Sequence, residues 1–132
     1  MIVVDASVLA DAVANEGPAG DLARKRLSGE RAFAPHLIDL EVVSMLKRIT
    51  RSGSVDPAVA EGATRRVALY PLTRLPHAPL LGRIWELRHN LSVYDASYVA
   101  LAEALRVSLV TSDEAFARAP GVECEVELLR AR

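Results

Sequence analysis

The chain has 132 residues, a formal net charge of −1 and a hydrophobic content of 51%. This length suits one domain of ordinary size, and the apolar fraction is high enough to bury a core, so a disordered chain is excluded. The near-neutral charge does not mark the chain as a general nucleic-acid binder. A single cysteine, Cys124, excludes an internal disulfide bond and fits a reducing compartment.

The N-terminal segment MIVVDASVLAD is apolar, but it has no basic start and is interrupted by Asp5 and Asp11. Signal peptides begin with basic residues, and membrane spans need about 20 apolar residues. We therefore expect a cytoplasmic protein that starts with a strand and has no contact with a membrane. Asp11 is expected to be an exposed helix residue.

The first half of the chain alternates between short β-branched runs and segments with helical spacing. In chain order these predict a strand, two helices, a second strand and two further helices, over residues 2–4, 6–15, 17–29, 31–35, 35–53 and 55–69. Pro35 is expected at the start of the long third helix and Gly53 just after its end. Asp56 is a candidate cap of the fourth helix, with Pro57 at its first position.

The second half continues the alternation. In chain order it predicts a short strand, two helices, a strand, a short helix and an edge strand, over residues 69–76, 77–90, 91–105, 107–111, 112–121 and 122–129. Ser92 is a candidate N-cap of the helix over 91–105. Trp85 and Tyr70 lack the spacing of a stacking platform and are expected in the core. The three histidines lack metal-ligand spacing and are expected at the surface or as caps: His36, His77 and His89.

This alternation predicts an α/β fold with a central parallel sheet covered by helices on both faces. No repeat or linker divides the chain, so residues 1–132 are expected to form a single domain. In parallel sheets the reactive crevice lies at the carboxyl ends of the strands. Polar residues that follow the strands are therefore the first candidates for a functional site.

Acidic side chains occupy such positions. Asp5 ends the first strand, and Asp113 comes shortly after the strand that ends at Thr111, so both should lie at the same edge of the sheet. Asp95 falls in the first turn of a helix, where the helix dipole favours an anion. Glu41 lies within the apolar stretch LIDLEVVSML, where an isolated carboxylate would be costly.

Each of these acids also has a local explanation. Asp5 and Asp113 could cap the helices that follow them, and Asp95 could complete a capping box with Ser92. Glu41 could face solvent. The alternative is that the four carboxylates converge on a divalent cation, for which hard oxygen ligands suit Mg²⁺ or Mn²⁺.

The segments MIVVDASVLAD, LEVVSMLKR, LSVYDASYVALAEAL and LVTSDEAFA resemble the four acidic segments of PIN-domain ribonucleases, and most closely those of VapC toxins of type II toxin–antitoxin systems. The resemblance covers nearly the whole chain. It implies a PIN-like three-layer sandwich and an acidic quartet that is catalytic and metal-binding: Asp5, Glu41, Asp95 and Asp113. Three hydroxyl residues would support it: Ser7, Thr111 and Ser112. Asp39 and Glu114 are neighbouring alternates to Glu41 and Asp113.

The same resemblance implies an endoribonuclease that hydrolyses RNA with Mg²⁺, for which Mn²⁺ could substitute. It also implies a homodimer silenced by a VapB-type antitoxin, in a heterotetramer or larger assembly, with contacts on the helices at 36–51 and 57–69. Two basic clusters could meet substrate phosphates or form solvated helix faces: Arg24, Lys25 and Arg26, and Lys47, Arg48 and Arg51.

Other classes fit less well. A response-regulator receiver also gathers aspartates at strand ends, but it needs an adjacent acidic pair after the first strand and a late lysine, and both lysines here lie in the first half. The glycine patterns of nucleotide-binding loops are absent from the sequence. The remaining alternative is a catalytically weak PIN-like module that binds RNA or a partner without cleaving it.

Overall fold

The computed structural model describes residues 1–131. Within that range the strands are β1 (Ile2–Val4), β2 (Ala32–Pro35), β3 (Thr73–Leu75), β4 (Ser108–Thr111) and β5 (Val126–Leu128). The helices are α1 (Ala6–Ala14), α2 (Pro18–Leu27), α3 (Ile38–Arg51), α4 (Pro57–Leu69), α5 (Leu81–Glu86), α6 (Val93–Leu105) and α7 (Glu114–Arg118). A 3₁₀ turn over Ala78–Leu80 precedes α5. None of these helices, over the part of the chain described, is long and apolar enough to cross a membrane.

The five strands form one parallel sheet in the order β3-β2-β1-β4-β5. β1 lies at its centre, and the pairing of Val4 with Val110 aligns the carboxyl ends of β1 and β4. Helix α1 packs against α2, α3 and α4, whereas α6 packs against α5 and three strands of the sheet. The predicted parallel sheet flanked by helices is confirmed.

Helix α6 carries much of the core. Its residues from Ala96 to Ala102 are all buried, and Tyr98 and Val99 are among the most completely enclosed side chains. A helix that is apolar on all sides must lie between other elements, and α6 contacts β1, β2 and β4. Its first turn is thereby held against the carboxyl edge of the sheet.

Two predicted boundaries were wrong. Pro35 does not start the third helix: it pairs with Leu75 as the last residue of β2, and the N–H of His36 continues the ladder to the Leu75 carbonyl at 3.0 Å. A proline is tolerated at a strand end because the missing N–H removes few ladder bonds, so α3 begins only at Ile38. The helix expected over 77–90 ends at Glu86, and turns follow it.

The prediction for Trp85 was also wrong. Its side chain is 65% exposed, and the guanidinium of Arg88 lies over the indole ring, 4.2 Å from the ring centroid. The nearby side chains of Ile84 and Leu87 are the buried ones on this segment. Tyr70 is half-buried against the core, and the three histidines are exposed, as expected.

Gly20 lies where α2 packs closely against the end of α1. A Cβ atom at this position in α2 would lie 1.7 Å from the carbonyl oxygen of Asn15, at the end of α1. We expect Gly20→Ala to lower the free energy of unfolding by about 2 kcal/mol or more, because backbone must move to accept the methyl group. Equilibrium denaturation in urea measures this change.

Gly82→Ala is the matched control, since Gly82 lies in α5 and a Cβ there would meet no atom within 4 Å. Alanine favours a helix over glycine by up to about 1 kcal/mol, so this variant should be neutral or slightly more stable. Equal stability of the two variants would show that α1 and α2 are not packed as described.

Candidate active site

Four separate elements bring carboxylates to one cavity of about 230 Å³ at the carboxyl edge of the sheet. Asp5 follows β1, Glu41 lies in the first turn of α3, Asp95 lies in the first turn of α6 and Asp113 follows β4. All four line this cavity. The chain segments that carry them are far apart in sequence, so only the parallel sheet and the packing of α3 and α6 place them together.

Asp5 is the most deeply buried of the four, at 5% exposure. Its Oδ1 accepts hydrogen bonds from the Ser7 hydroxyl at 2.7 Å and the Val8 N–H at 3.3 Å, and its Oδ2 accepts one from the Thr111 hydroxyl at 2.9 Å. Burial, with a smaller contribution from the negative charge of Asp113, raises the pKa of Asp5 to about 6, although these donors favour the charged form.

Glu41 is held by Tyr98. The buried Tyr98 hydroxyl donates to Glu41 Oε1 at 2.6 Å, across α3 and α6. Burial raises the pKa of Glu41, with a further contribution from the charge of Asp95, and the Tyr98 hydrogen bond opposes the shift. The pKa of Tyr98 is raised far above its usual range by burial and by its acceptor, so the phenol remains a donor.

Asp95 and Asp113 combine a local role with a place in the cavity. The Ser92 hydroxyl accepts the N–H of Asp95 at 3.0 Å, and the Asp113 carboxylate caps α7 through the N–H of Ala115 at 2.9 Å. Burial and then the charge of Asp113 raise the pKa of Asp95. Asp5 caps α1 in the same way. For Asp5 and Asp113, capping and convergence, which the sequence presented as alternatives, therefore occur together.

The predicted supporting hydroxyls differ in what they do. Ser7 lines the cavity and donates to Asp5, and Thr111 donates to Asp5 while accepting the N–H of Asp113 at 3.0 Å. Ser112 does not line this cavity: its N–H donates to Ser7 Oγ at 3.2 Å, and the residue borders a different cavity beside α2.

Neither alternate acid lies at the cavity. Asp39 forms an ion pair with Arg74 at 2.8 Å, which joins α3 to β3, and Glu114 pairs with Arg118 and Arg130 on the surface. Asp11 is half-buried rather than exposed as predicted, and burial raises its pKa. It faces a neighbouring groove instead of the acidic cavity.

Sequence reasoning missed some of the residues that line the cavity. Ser44 and Met45 follow Glu41 by three and four positions, and Tyr98 follows Asp95 by three. Residues at these spacings share a helix face, so helical periodicity counted from each acid would have found them.

The donor set fits a divalent cation that keeps part of its water shell. The cavity offers carboxylate and hydroxyl oxygens, which hard cations prefer. Within residues 1–131, no three acidic, histidine or cysteine side chains converge closely enough to enclose an ion by themselves. Mg²⁺ retains several waters and binds through one or two carboxylates, so a hydrated ion matches this spacing better than a fully protein-ligated one.

A parallel sheet with carboxylates from β1, α3, α6 and β4 at one edge defines a PIN-type α/β domain, and residues 2–122 match the PIN domain family. The chain is 44% identical over 132 residues to Ribonuclease VapC9 of Mycobacterium tuberculosis and 42% identical over 129 residues to Ribonuclease VapC1 of that organism. These matches cover 98% and 97% of each chain.

Among solved structures, the fold matches a toxin–antitoxin complex from Klebsiella pneumoniae with a TM-score of 0.69 and 20% identity, over 100% of both chains. The chain belongs to the PIN domain family, and its relatives over nearly the whole length are VapC ribonucleases. The family predicted from the acidic segments is confirmed.

The raised pKa of Asp5 makes stability depend on pH. The folded state holds a proton on Asp5 up to about pH 6, whereas the unfolded chain releases it near 3.8. The proton on Asp5 therefore stabilises the folded state below about pH 4, and this stabilisation is lost as pH rises from about 4 to about 6. We expect Asp5→Asn to be more stable than wild type by roughly 1–3 kcal/mol at pH 7.5 in EDTA, with the difference shrinking toward pH 4.

Asp56→Asn is the matched control, because Asp56 is an exposed N-cap of α4 and asparagine caps equally well. It should change stability by less than about 0.5 kcal/mol. Urea denaturation across this pH range measures both variants. A less stable Asp5→Asn protein at pH 7.5 would mean that the hydrogen bonds to the charged carboxylate outweigh its burial.

Proposed function

We propose that this chain is a metal-dependent endoribonuclease of the VapC type, the toxin of a type II toxin–antitoxin system. The observation that carries this proposal is the convergence of Asp5, Glu41, Asp95 and Asp113 on one cavity in a PIN domain. Relatives that align over nearly all of the chain are named ribonucleases. A single PIN domain over residues 1–132, a cytoplasmic location and a homodimer belong to the same proposal.

Asp5 and Asp95 would hold the cation, which we propose to be Mg²⁺ with Mn²⁺ as a substitute, and Glu41 and Asp113 would hold it directly or through water. A cation bound there would supply Lewis-acid chemistry, since it would lower the pKa of a bound water and offset negative charge on the phosphodiester. Attack by water on phosphorus breaks the bond to the 3′ oxygen, which leaves as a hydroxyl, and the other product carries a 5′-phosphate. No side-chain nucleophile is required.

The chain's own hydrogen bonds keep these carboxylates in place. Ser7 and Thr111 fix both oxygens of Asp5, and Tyr98 fixes one oxygen of Glu41. Within residues 1–131, Glu41 Oε2 has no hydrogen-bond partner, so it is available to a cation or to its water. Mutation of residues that orient metal ligands in this way usually lowers metal affinity or activity by about 10–100-fold.

Removing a carboxylate from the cavity tests the reaction. We expect Asp5→Asn and Asp95→Asn to lose more than about 100-fold in RNA cleavage with Mg²⁺ or Mn²⁺, which exceeds the usual cost of losing an orienting partner. Asp39→Asn is the control, since Asp39 lies on the same helix as Glu41 but outside the cavity. It should retain cleavage and lose stability.

Sequencing RNA ends after brief induction of the protein would identify the substrate, with new 5′-phosphate ends expected for wild type and absent for Asp95→Asn. Equal cleavage by wild type and both cavity variants would show that the activity comes from a contaminant. In that case the chain would be a PIN-like binding module that does not cleave RNA.

An apolar groove of about 520 Å³ beside the acidic cavity is our candidate for the antitoxin. The apolar side chains that line it come from α1, α3, α4 and the loop before α4: Ala10, Ala14, Met45, Ile49, Val55 and Val59. Acidic residues border it, namely Asp11, Glu16 and Asp56. Met45 lines both this groove and the acidic cavity. A segment with apolar side chains and basic flanks fits this surface and would extend toward the site.

Val59→Glu tests this surface. Val59 is 38% exposed on α4 and lines the groove, so a glutamate there should fold but place an unpaired charge against the bound segment. We expect at least about tenfold weaker binding to the antitoxin encoded beside this chain's gene, as measured by calorimetry. Leu69→Glu is the control, because Leu69 is 82% exposed on the same helix and outside the groove. Equal affinities for the two variants would show that the antitoxin binds at a surface other than this groove.

A further inference from the structure

Arg48 is the one basic side chain among the described residues that line the acidic cavity. It follows Glu41 by seven positions on α3, so two helical turns, or about 10 Å along the axis, separate the two residues. Ser44 and Met45 lie between them on the same face and also line the cavity. The helix therefore places a positive charge at a fixed distance from the carboxylates.

The guanidinium of Arg48 does not help to hold the fold through any partner among the described residues. Among residues 1–131, none of the ion pairs or side-chain hydrogen bonds that tie down the other arginines includes Arg48. The residue is exposed. Arg48 lines a cavity with four carboxylates, but none of the ion pairs among residues 1–131 joins it to one of them, so its charge is available to a ligand.

The other predicted basic cluster is used differently. Arg24 donates to Asp21 and to the carbonyl oxygens of Ala12 and Asn15, which ties α2 to the end of α1. Arg26 pairs with Glu30 and Glu127, which ties α2 to β5. On α3 itself, Lys47 and Arg51 border a separate apolar hollow near α4 rather than the acidic cavity. Arg48 alone among these six residues lies at the site.

An acidic cavity in a chain of net charge −1 repels RNA. A cation at the carboxylates would compensate the phosphate that is cut, but the neighbouring phosphates would still face a negative surface. Arginine binds phosphate through two parallel hydrogen bonds and stays charged at any physiological pH. We propose that Arg48 binds an RNA phosphate adjacent to the scissile one and thereby sets the register of the strand in the cavity. This inference rests on the proposed function.

Binding of a fluorescein-labelled 12-nucleotide oligouridylate to the full chain tests the role of Arg48. All proteins carry Asp95→Asn, so that the probe is not cut during the measurement. Adding Arg48→Ala should weaken binding about tenfold, and should lower the slope of log Kd against log salt by about 0.7, the value for one phosphate contact on a single strand. Arg48→Lys should recover part of the affinity, because it keeps the charge but not the paired hydrogen bonds.

Arg51→Ala in the same background is the matched control, since Arg51 is an exposed arginine three positions further on α3 and outside the acidic cavity. It should change the affinity by less than about twofold.

In the cleaving protein, Arg48→Ala should raise KM for RNA more than it lowers kcat, because the contact is made to substrate and transition state alike.

Equal affinity and equal salt slope for the Arg48→Ala and Arg51→Ala proteins would overturn the inference, and so would a loss of antitoxin binding with RNA binding unchanged. These outcomes differ from a failure of the proposed function, which would appear as cleavage unaffected by Asp5→Asn. Both arginines are exposed, so unchanged thermal midpoints for the two variants are expected and would exclude misfolding as the cause.

Discussion

The buried hydrogen bond from Thr111 to Asp5 joins the carboxyl ends of β1 and β4, and the site depends on it. The two residues are 106 positions apart in the chain. Their contact requires the parallel pairing of Val4 with Val110, which aligns the two strand ends at one edge. The same Thr111 hydroxyl accepts the N–H of Asp113, so one side chain positions two acids. A shift of the strand register by one residue would move Asp5 and Asp113 away from the cavity, because it turns each side chain of the strand to the opposite face of the sheet.

Concentrating carboxylates at this edge opposes folding. Burial raises the pKa of Asp5, Glu41 and Asp95, and the acids raise one another's pKa through charge repulsion. A protein selected for stability alone would not retain such a cluster, whereas sites that bind cations routinely do. The hydroxyl donors around the cavity reduce this penalty without removing it. The cluster therefore lowers the stability of the fold while it brings carboxylate oxygens together at one edge of the sheet.

The ends of the helices also help to fix the acids in position. Asp5 and Asp113 each cap the helix that follows a strand, and Ser92 caps the helix that carries Asp95. Capping fixes the backbone at the point where each carboxylate enters the cavity. Most arginines with side-chain partners also hold elements of the fold together. They bind carbonyl oxygens or carboxylates of neighbouring elements, as do Arg24, Arg26, Arg66, Arg74 and Arg83. Arg48 is left at the cavity.

The sequence by itself determined the alternation of strands and helices, the parallel sheet and the place of Asp5 and Asp113 at its carboxyl edge, because hydrophobic period and strand-end position are local properties. Glu41 and Asp95 reach the same edge only through the packing of α3 and α6. Only the tertiary structure decided which of Asp39 and Glu41 enters the cavity. Residues two apart on a helix point to different sides, and the face that is buried depends on what packs against it. The exposure of Trp85 and the partial burial of Asp11 were decided in the same way, by neighbours distant in the chain.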